Sequence, residues 1–173
     1  MHFLSEKSGL TPVRLRELLH YDPNTGVFIR KDIAGKHSAS YQIGDVAGST
    51  TKKGYIRICV DGEVHPAHRL AWLYMTGSWP VCQVDHWDTN KGNNAWSNLR
   101  EATNGQNKAN TPVYKCTKSG LKGAYWEAKR GKWASKIRVD KRLRHVGYFD
   151  SAEDAHQAFA LAASSHHGEF ARA

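Results

Sequence analysis

The sequence predicts an α+β fold made of two small domains, residues 1–112 and 113–173. Three observations carry that reading. Alternating apolar runs are short and bounded by Gly, Asp or Asn, which is strand-and-turn chemistry. Between them stand helical segments with apolar stripes and recognisable caps. The charge also steps along the chain: residues 1–112 hold 13 Lys/Arg against 10 Asp/Glu, and residues 113–173 hold 12 against 6. A chain of 173 residues suffices for two cores of this size.

Thr11-Pro12 opens the first helix with a capping hydroxyl and a proline in the first turn. Leu15, Leu18 and Leu19 form its apolar stripe. Asp22-Pro23-Asn24-Thr25-Gly26 turns the chain into a short strand over 27–30. Residues 32–53 are polar and rich in Gly, Ser and Thr, and read as loop. Tyr55, Ile56, Ile58 and Val60 form a strand, and Asp61-Gly62 is the strongest hairpin signal in the chain. HRLAWLYMTG reads as a buried helix ended by Gly77. Val84-Asp85-His86 ends a further strand, Asn98-Leu99-Arg100 starts the returning one, and Thr103 caps a helix containing Asn107.

Residues 111–120 read as the linker. Strands follow at 123–127, 132–139 and 143–149. In the middle one, Trp133, Ser135, Ile137 and Val139 share one face, with Lys136 and Arg138 on the other. Ser151-Ala-Glu-Asp154 resembles a capping box and opens an Ala-rich helix ending near Gly168. Its Ala155, Phe159 and Ala162 suit the apolar face of the sheet.

Composition excludes some classes. No apolar run approaches the roughly 18 residues of a membrane span, and the start, MHFLSEKSGL, has no signal-peptide pattern. Cys59, Cys82 and Cys116 are odd in number and form no CxxC pair, which fits a reducing cytoplasm and leaves no structural zinc to expect. Cys59 and Cys82 are expected to be buried apolar residues. Residues 115–145 carry 11 basic side chains against Glu127 and Asp140, interleaved with Tyr125, Trp126 and Trp133. Such a block points to a polyanion, with a merely solvated basic face as the alternative.

The most unusual stretch is VDHWDTNKGNNAWSNLREATNGQNKAN, residues 84–110, with seven asparagines behind an Asp-His pair. A solvated loop explains many asparagines. It does not explain Asp85-His86 at the end of an apolar run. In a strand–loop–strand–helix arrangement, Asp85 and Asn107 can converge, and their hard oxygen ligands suit Mg²⁺ or Mn²⁺. His86 titrates near working pH and can take a proton from an attacking water. His68 is either a packing histidine or a phosphate contact.

This stretch resembles the HNH nuclease family, in particular its phage homing-endonuclease branch. GYIRICVDGEVHPAHRLAWLYMTGSWP and the lead-in LRELLHYDPNTGVF extend the likeness over residues 11–112. The resemblance implies a ββα-metal nuclease domain with His86 as general base and Asn98 holding the loop by hydrogen bonds. It implies Asp85 and Asn107 as ligands of Mg²⁺ or Mn²⁺. Asn94 is the nearest competitor for the place of Asn98. The chain is thus an H-N-N variant without the cysteine-bound zinc of some members.

The C-terminal segment, with KGAYW, KWASKIRV, VGYF-D and SAEDAHQAFALAA, resembles the APETALA/ethylene-response-factor DNA-binding domain over residues 119–172. That likeness implies a three-stranded antiparallel sheet packed on one helix and lying in the major groove. Matching positions put Lys122, Tyr125, Glu127, Lys136, Arg138, Leu143 and His145 on the DNA side. Glu127 and Leu143 depart from the usual Arg of the plant domains, so their base preference does not carry over. Alternation in the third strand groups Arg142 with Arg144, opposite Leu143 and His145, leaving both pairs as candidates for DNA contact. Arg138 is where local pattern and resemblance agree.

The combined expectation is a metal-dependent endonuclease of the homing type, acting on double-stranded DNA at a selected site and leaving 5′-phosphate and 3′-hydroxyl ends. A monomer is favoured, no membrane is involved, and the location is the cytoplasm, that of the host cell if the chain is phage-encoded. The alternatives are a DNA-binding regulator with a decayed nuclease centre and a structure-specific repair or packaging nuclease.

Overall fold

A computed structural model describes residues 9–31, 41–111, 118–140 and 142–171. It is a mixed α/β chain with small antiparallel sheets. The chain divides into two compact units, Met1–Glu101 and Ala102–Ala173. The linker core and Cys116 lie outside the described residues. Among those residues, no helix is long and apolar enough to cross a membrane.

In the first unit, α1 (Pro12–Leu18) is capped by the Thr11 side chain, which accepts from the Arg14 N–H at 3.1 Å. β1 (Leu19–Tyr21) and β2 (Phe28–Arg30) pair as an antiparallel hairpin, Tyr21 opposite Phe28. The stretch read as loop holds a short strand, β3 (Ser49–Thr50), on the edge of β4 (Ile56–Val60). Polar Ser and Thr on an edge leave no alternation to read. Asp61 and Gly62 both have positive φ, 47° and 85°, and return the chain into β5 (Glu63–Pro66) as the hairpin signal requires. α2 (Ala67–Thr76) ends on Gly77, which is left-handed at φ 76° and donates its N–H to the Leu73 carbonyl.

Leu15, Leu18, Leu19, Tyr21, Phe28, Ile58, Leu70 and Leu73 form the centre of this unit's core. Cys59 and Cys82 are both exposed, contrary to the sequence expectation. Cys59 lies between buried Ile58 and Val60 on β4, so alternation turns it outward. Cys82 precedes β6 (Gln83–His86), which pairs with β7 (Leu99–Ala102).

The second unit begins with α3 (Asn104–Ala109), held by a full capping box between Thr103 and Gln106. Three strands, β8 (Ala124–Glu127), β9 (Lys132–Val139) and β10 (Arg142–Phe149), form an antiparallel sheet in the order β10-β9-β8. α4 (Ala152–His167), capped by Ser151, packs on the sheet through Ala155, Phe159 and Ala163. The compact units meet at residue 101, eleven residues before the sequence-derived boundary at 112. α3 packs with α4, and Lys122 donates to the carbonyls of Ala109 and Thr111 at 2.7 Å each.

Candidate functional site

β6 ends in three consecutive buried residues, Val84, Asp85 and His86. Neighbouring strand residues point to opposite faces, so Asp85 and His86 meet different partners. Asp85 reaches Arg100 on β7, whose Nε and Nη2 donate to one carboxylate oxygen at 3.2 and 3.1 Å. The Arg100 guanidinium also lies over the Trp87 ring, 4.3 Å from its centroid. His86 meets α2 and Tyr55, the residue just before β4, instead. Its ring is edge-on to His68 at 5.1 Å and tilted against Tyr55 at 6.2 Å.

His86 Nε2 stands 3.1 Å from Asn94 Oδ1. Asn94 is itself 1% exposed, and its Nδ2 donates to the Gly92 carbonyl at 3.2 Å. That bond turns the amide oxygen toward the imidazole. An oxygen only accepts, so Nε2 carries the proton and the neutral ring keeps its lone pair on Nδ1. Burial holds His86 below its ordinary titration range, against the opposing pull of the Asn94 bond and the carboxylates of Asp88 and Asp85. His68 is pushed further, to about 3, by burial first and then by His86 and Arg69. The pair therefore stays uncharged at neutral pH.

Asn98 ties the intervening loop together. Its Nδ2 donates to Asp88 Oδ1 at 2.9 Å and to the Asn93 carbonyl at 2.8 Å, while its Oδ1 accepts the Asp88 N–H at 3.0 Å. Burial pushes the Asp88 carboxyl up, but the Asn93, Asn98 and Asn90 bonds outweigh it and hold the group below its usual range. Asp88 is thus an anionic hub for the loop that places Asn94. Four of the seven asparagines divide this work: Asn90, Asn93 and Asn98 shape the loop, and Asn94 faces the histidine. Residue type alone did not rank Asn94 first, because all seven look alike in sequence.

The donors that the sequence pointed to for a divalent cation are the Asp85 carboxylate and the Asn107 amide oxygen. Among the described residues no group of three or more His, Cys, Asp or Glu gathers to form a closed cage. A hard cation that keeps several waters or phosphate oxygens needs no such cage, and a carboxylate plus an amide oxygen is the donor chemistry it prefers. Asn107 is half-buried on α3 in the second unit, its N–H bonded to the Thr103 carbonyl at 2.9 Å.

The second unit sorts the expected DNA contacts by sheet face. Pairing sets Leu143 opposite Arg138 and His145 opposite Lys136, whereas Arg142 and Arg144 stand opposite Val139 and Ile137. Directly paired residues share a face. Lys136, Arg138, Leu143 and His145 therefore lie away from α4, together with Tyr125 and Glu127, whose partners Ala134 and Lys132 fall on that side. Arg142 and Arg144 are exposed but belong to the helix side, so the structure separates them from Arg138. Lys122 also leaves the group, because its ammonium is held by the carbonyls at the end of α3. Two residues join the open face unforeseen: the Tyr148 ring lies 4.2 Å from His145, and the Arg130 guanidinium lies 4.8 Å from Tyr148.

No curated protein and no solved structure matches this chain. Residues 65–109, from the end of β5 through α3, match the family model described as HNH endonuclease, and the chain thus carries an HNH endonuclease domain.

Proposed function

We propose that the chain is a metal-dependent DNA endonuclease of the homing type and of the ββα-metal kind, with the general base at the end of β6 and target binding shared with the second unit. The observation that carries this reading is the bond between His86 Nε2 and Asn94 Oδ1, at 3.1 Å. It fixes the tautomer of a buried, neutral imidazole so that the lone pair lies on Nδ1, the form in which a general base accepts a proton. His86 would take a proton from water as the water oxygen attacks phosphorus, and the P–O3′ bond would break with the 3′-oxygen taking a proton from solvent to leave as a hydroxyl. Asp85 and Asn107 would hold Mg²⁺ or Mn²⁺, which when bound supplies charge stabilisation at the phosphate and the leaving oxygen. Asn98 serves the site by fixing the loop, and Arg100 by orienting Asp85.

The open sheet face offers Lys136, Arg138, His145 and Tyr125 to duplex DNA. Basic side chains neutralise phosphates, and Arg138 is the group suited to a base edge. The intact set of Asp85, His86, Asn94 and Asn98 favours an active enzyme over a regulator with a decayed centre. The test is plasmid cleavage with and without Mg²⁺, in parent and His86→Ala protein, followed by end mapping. Cleavage that survives EDTA, or that His86→Ala leaves at the parent rate, defeats the reading.

A further inference from the structure

The family match begins at residue 65, yet the residue that orients His86 is clamped from much earlier in the chain. The Tyr21 hydroxyl donates to the Asn94 carbonyl at 2.7 Å in a buried bond. Two residues on, the Pro23 carbonyl accepts the Trp96 N–H at 2.8 Å. Gly26, at φ 74°, lies so close that an added Cβ would sit 2.2 Å from the Asn94 carbonyl carbon and 2.3 Å from Ala95 N. Backbone cannot yield to that contact as a flexible side chain can. Residues 21–26 thus touch the 94–96 backbone at three consecutive positions.

The clamp is itself rigid. The Tyr21 ring packs at 4.7 Å on Phe28 of β2 and at 5.6 Å on Tyr74 of α2, and Tyr21 is 1% exposed. Burial, aided by Asp22, holds its phenol far above the ordinary range, so the hydroxyl stays protonated and remains a donor. With its backbone held by the hairpin and its Nδ2 on Gly92, Asn94 has one direction left for Oδ1, and His86 lies there.

We infer that the β1–β2 hairpin belongs to the catalytic apparatus, with Tyr21 and Gly26 as positioning residues that act through Asn94 to keep the His86 proton on Nε2. This rests on the reading of His86 as the general base. It means that the segment matching the nuclease family depends on the N-terminal hairpin for a competent histidine.

The experiment uses the full chain and two readouts, the His86 tautomer from ring ¹⁵N shifts and the kcat and KM of plasmid cleavage. Tyr21→Phe keeps the ring packing and removes only the hydroxyl. It is expected to turn a predominantly Nε2–H histidine into a mixture of tautomers and to lower kcat about tenfold, as loss of one neutral hydrogen bond would, with KM unchanged. Gly26→Ala is expected to do the same more severely. Should Gly26→Ala not fold, Tyr21→Phe still decides the matter. A folded Tyr21→Phe protein that keeps Nε2–H and the parent kcat overturns the proposal, as does a loss of urea resistance with no change of tautomer. A parent that shows the Nε2–H form, loses it on Tyr21→Phe and yet cleaves no DNA upholds the clamp and removes the nuclease reading instead.

Discussion

Arg100 donates twice to a single carboxylate oxygen of Asp85 while its guanidinium lies over Trp87. Both side chains of the ion pair are largely shielded, 13% and 7% exposed. A paired charge in such a place is tolerated, but an unpaired one is not. Arg100→Ala should therefore lower stability by about 3 kcal/mol, because it takes the guanidinium and its two bonds away from the buried Asp85 carboxylate. Urea unfolding would show this, and a midpoint within error of the parent would mean that Asp85 has another counter-charge.

The general-base assignment predicts a rate effect without a binding effect. His86→Ala should cut cleavage by about 10²–10⁴-fold while DNA affinity stays near the parent value. Single-turnover rates and a filter-binding isotherm on the same preparation separate the two. A parallel fall in affinity would make His86 a DNA contact instead.

His68 makes a prediction about acid. Its folded-state value near 3 lies below the ordinary 6.5 of an unfolded histidine. Below pH 6.5 the unfolded chain takes up a proton that the folded chain refuses, so stability falls as pH drops toward 3. The slope from this one group is up to about 1.4 kcal/mol per pH unit. The groups facing it are His86 of β6, the Tyr55 ring and Arg69 on its own helix. His68→Phe should flatten the decline between pH 6.5 and 4 in urea titrations. Identical pH dependence in the two proteins would remove His68 as its source.

The face assignment in the C-terminal sheet sets Arg138 apart from Arg142 and Arg144, the pair on β10 whose side the sequence alone left open. If Arg138 neutralises a phosphate, Arg138→Ala should reduce the slope of log affinity against log salt by about 0.9. If it reads a base, specificity at one position should relax at a cost of about 1–3 kcal/mol. Arg144→Ala, on the helix side, should change both less. A larger effect from Arg144 would place DNA on the other face.

Lys122 should behave as a structural residue. Its bonds join the end of α3 and Thr111 beyond it to the segment before β8, and that segment to α4 through the Lys122 carbonyl and His156 at 2.8 Å. Lys122→Met should destabilise the second unit by about 1–3 kcal/mol, the cost of leaving carbonyl acceptors unmatched, and leave the salt slope of DNA binding unchanged. A flattened slope at parental stability would return Lys122 to the DNA surface.

Local chemistry made most elements legible in advance. Asp61-Gly62, Thr103 with Gln106, Ser151 with Asp154 and Gly77 after α2 each mark a turn or an end by their own side chains or backbone freedom. The alternation of Trp133, Ile137 and Val139 likewise identified the face that packs on α4. The Asp-His pair marked the candidate site for the same reason, since an acid and an imidazole behind an apolar strand have a chemistry of their own. β3 escaped notice because polar residues on an edge have no period.

What tertiary structure alone decided is which of several equivalent residues does which work. Seven asparagines within 27 residues are interchangeable on paper. Only the closure of the loop around Asp88 and the clamp from Tyr21 turn Asn94, and not Asn98, toward His86. Strand register, a property of the pairing and not of the strand, put Arg142 and Arg144 on the helix side and brought Tyr148 to His145, and Arg130 from the β8–β9 turn lies over the Tyr148 ring. A hydrogen bond between residues 73 positions apart leaves no trace in either local sequence. Periodicity and capping act over a few residues, whereas orientation at a site is set by contacts that exist only once distant segments have met.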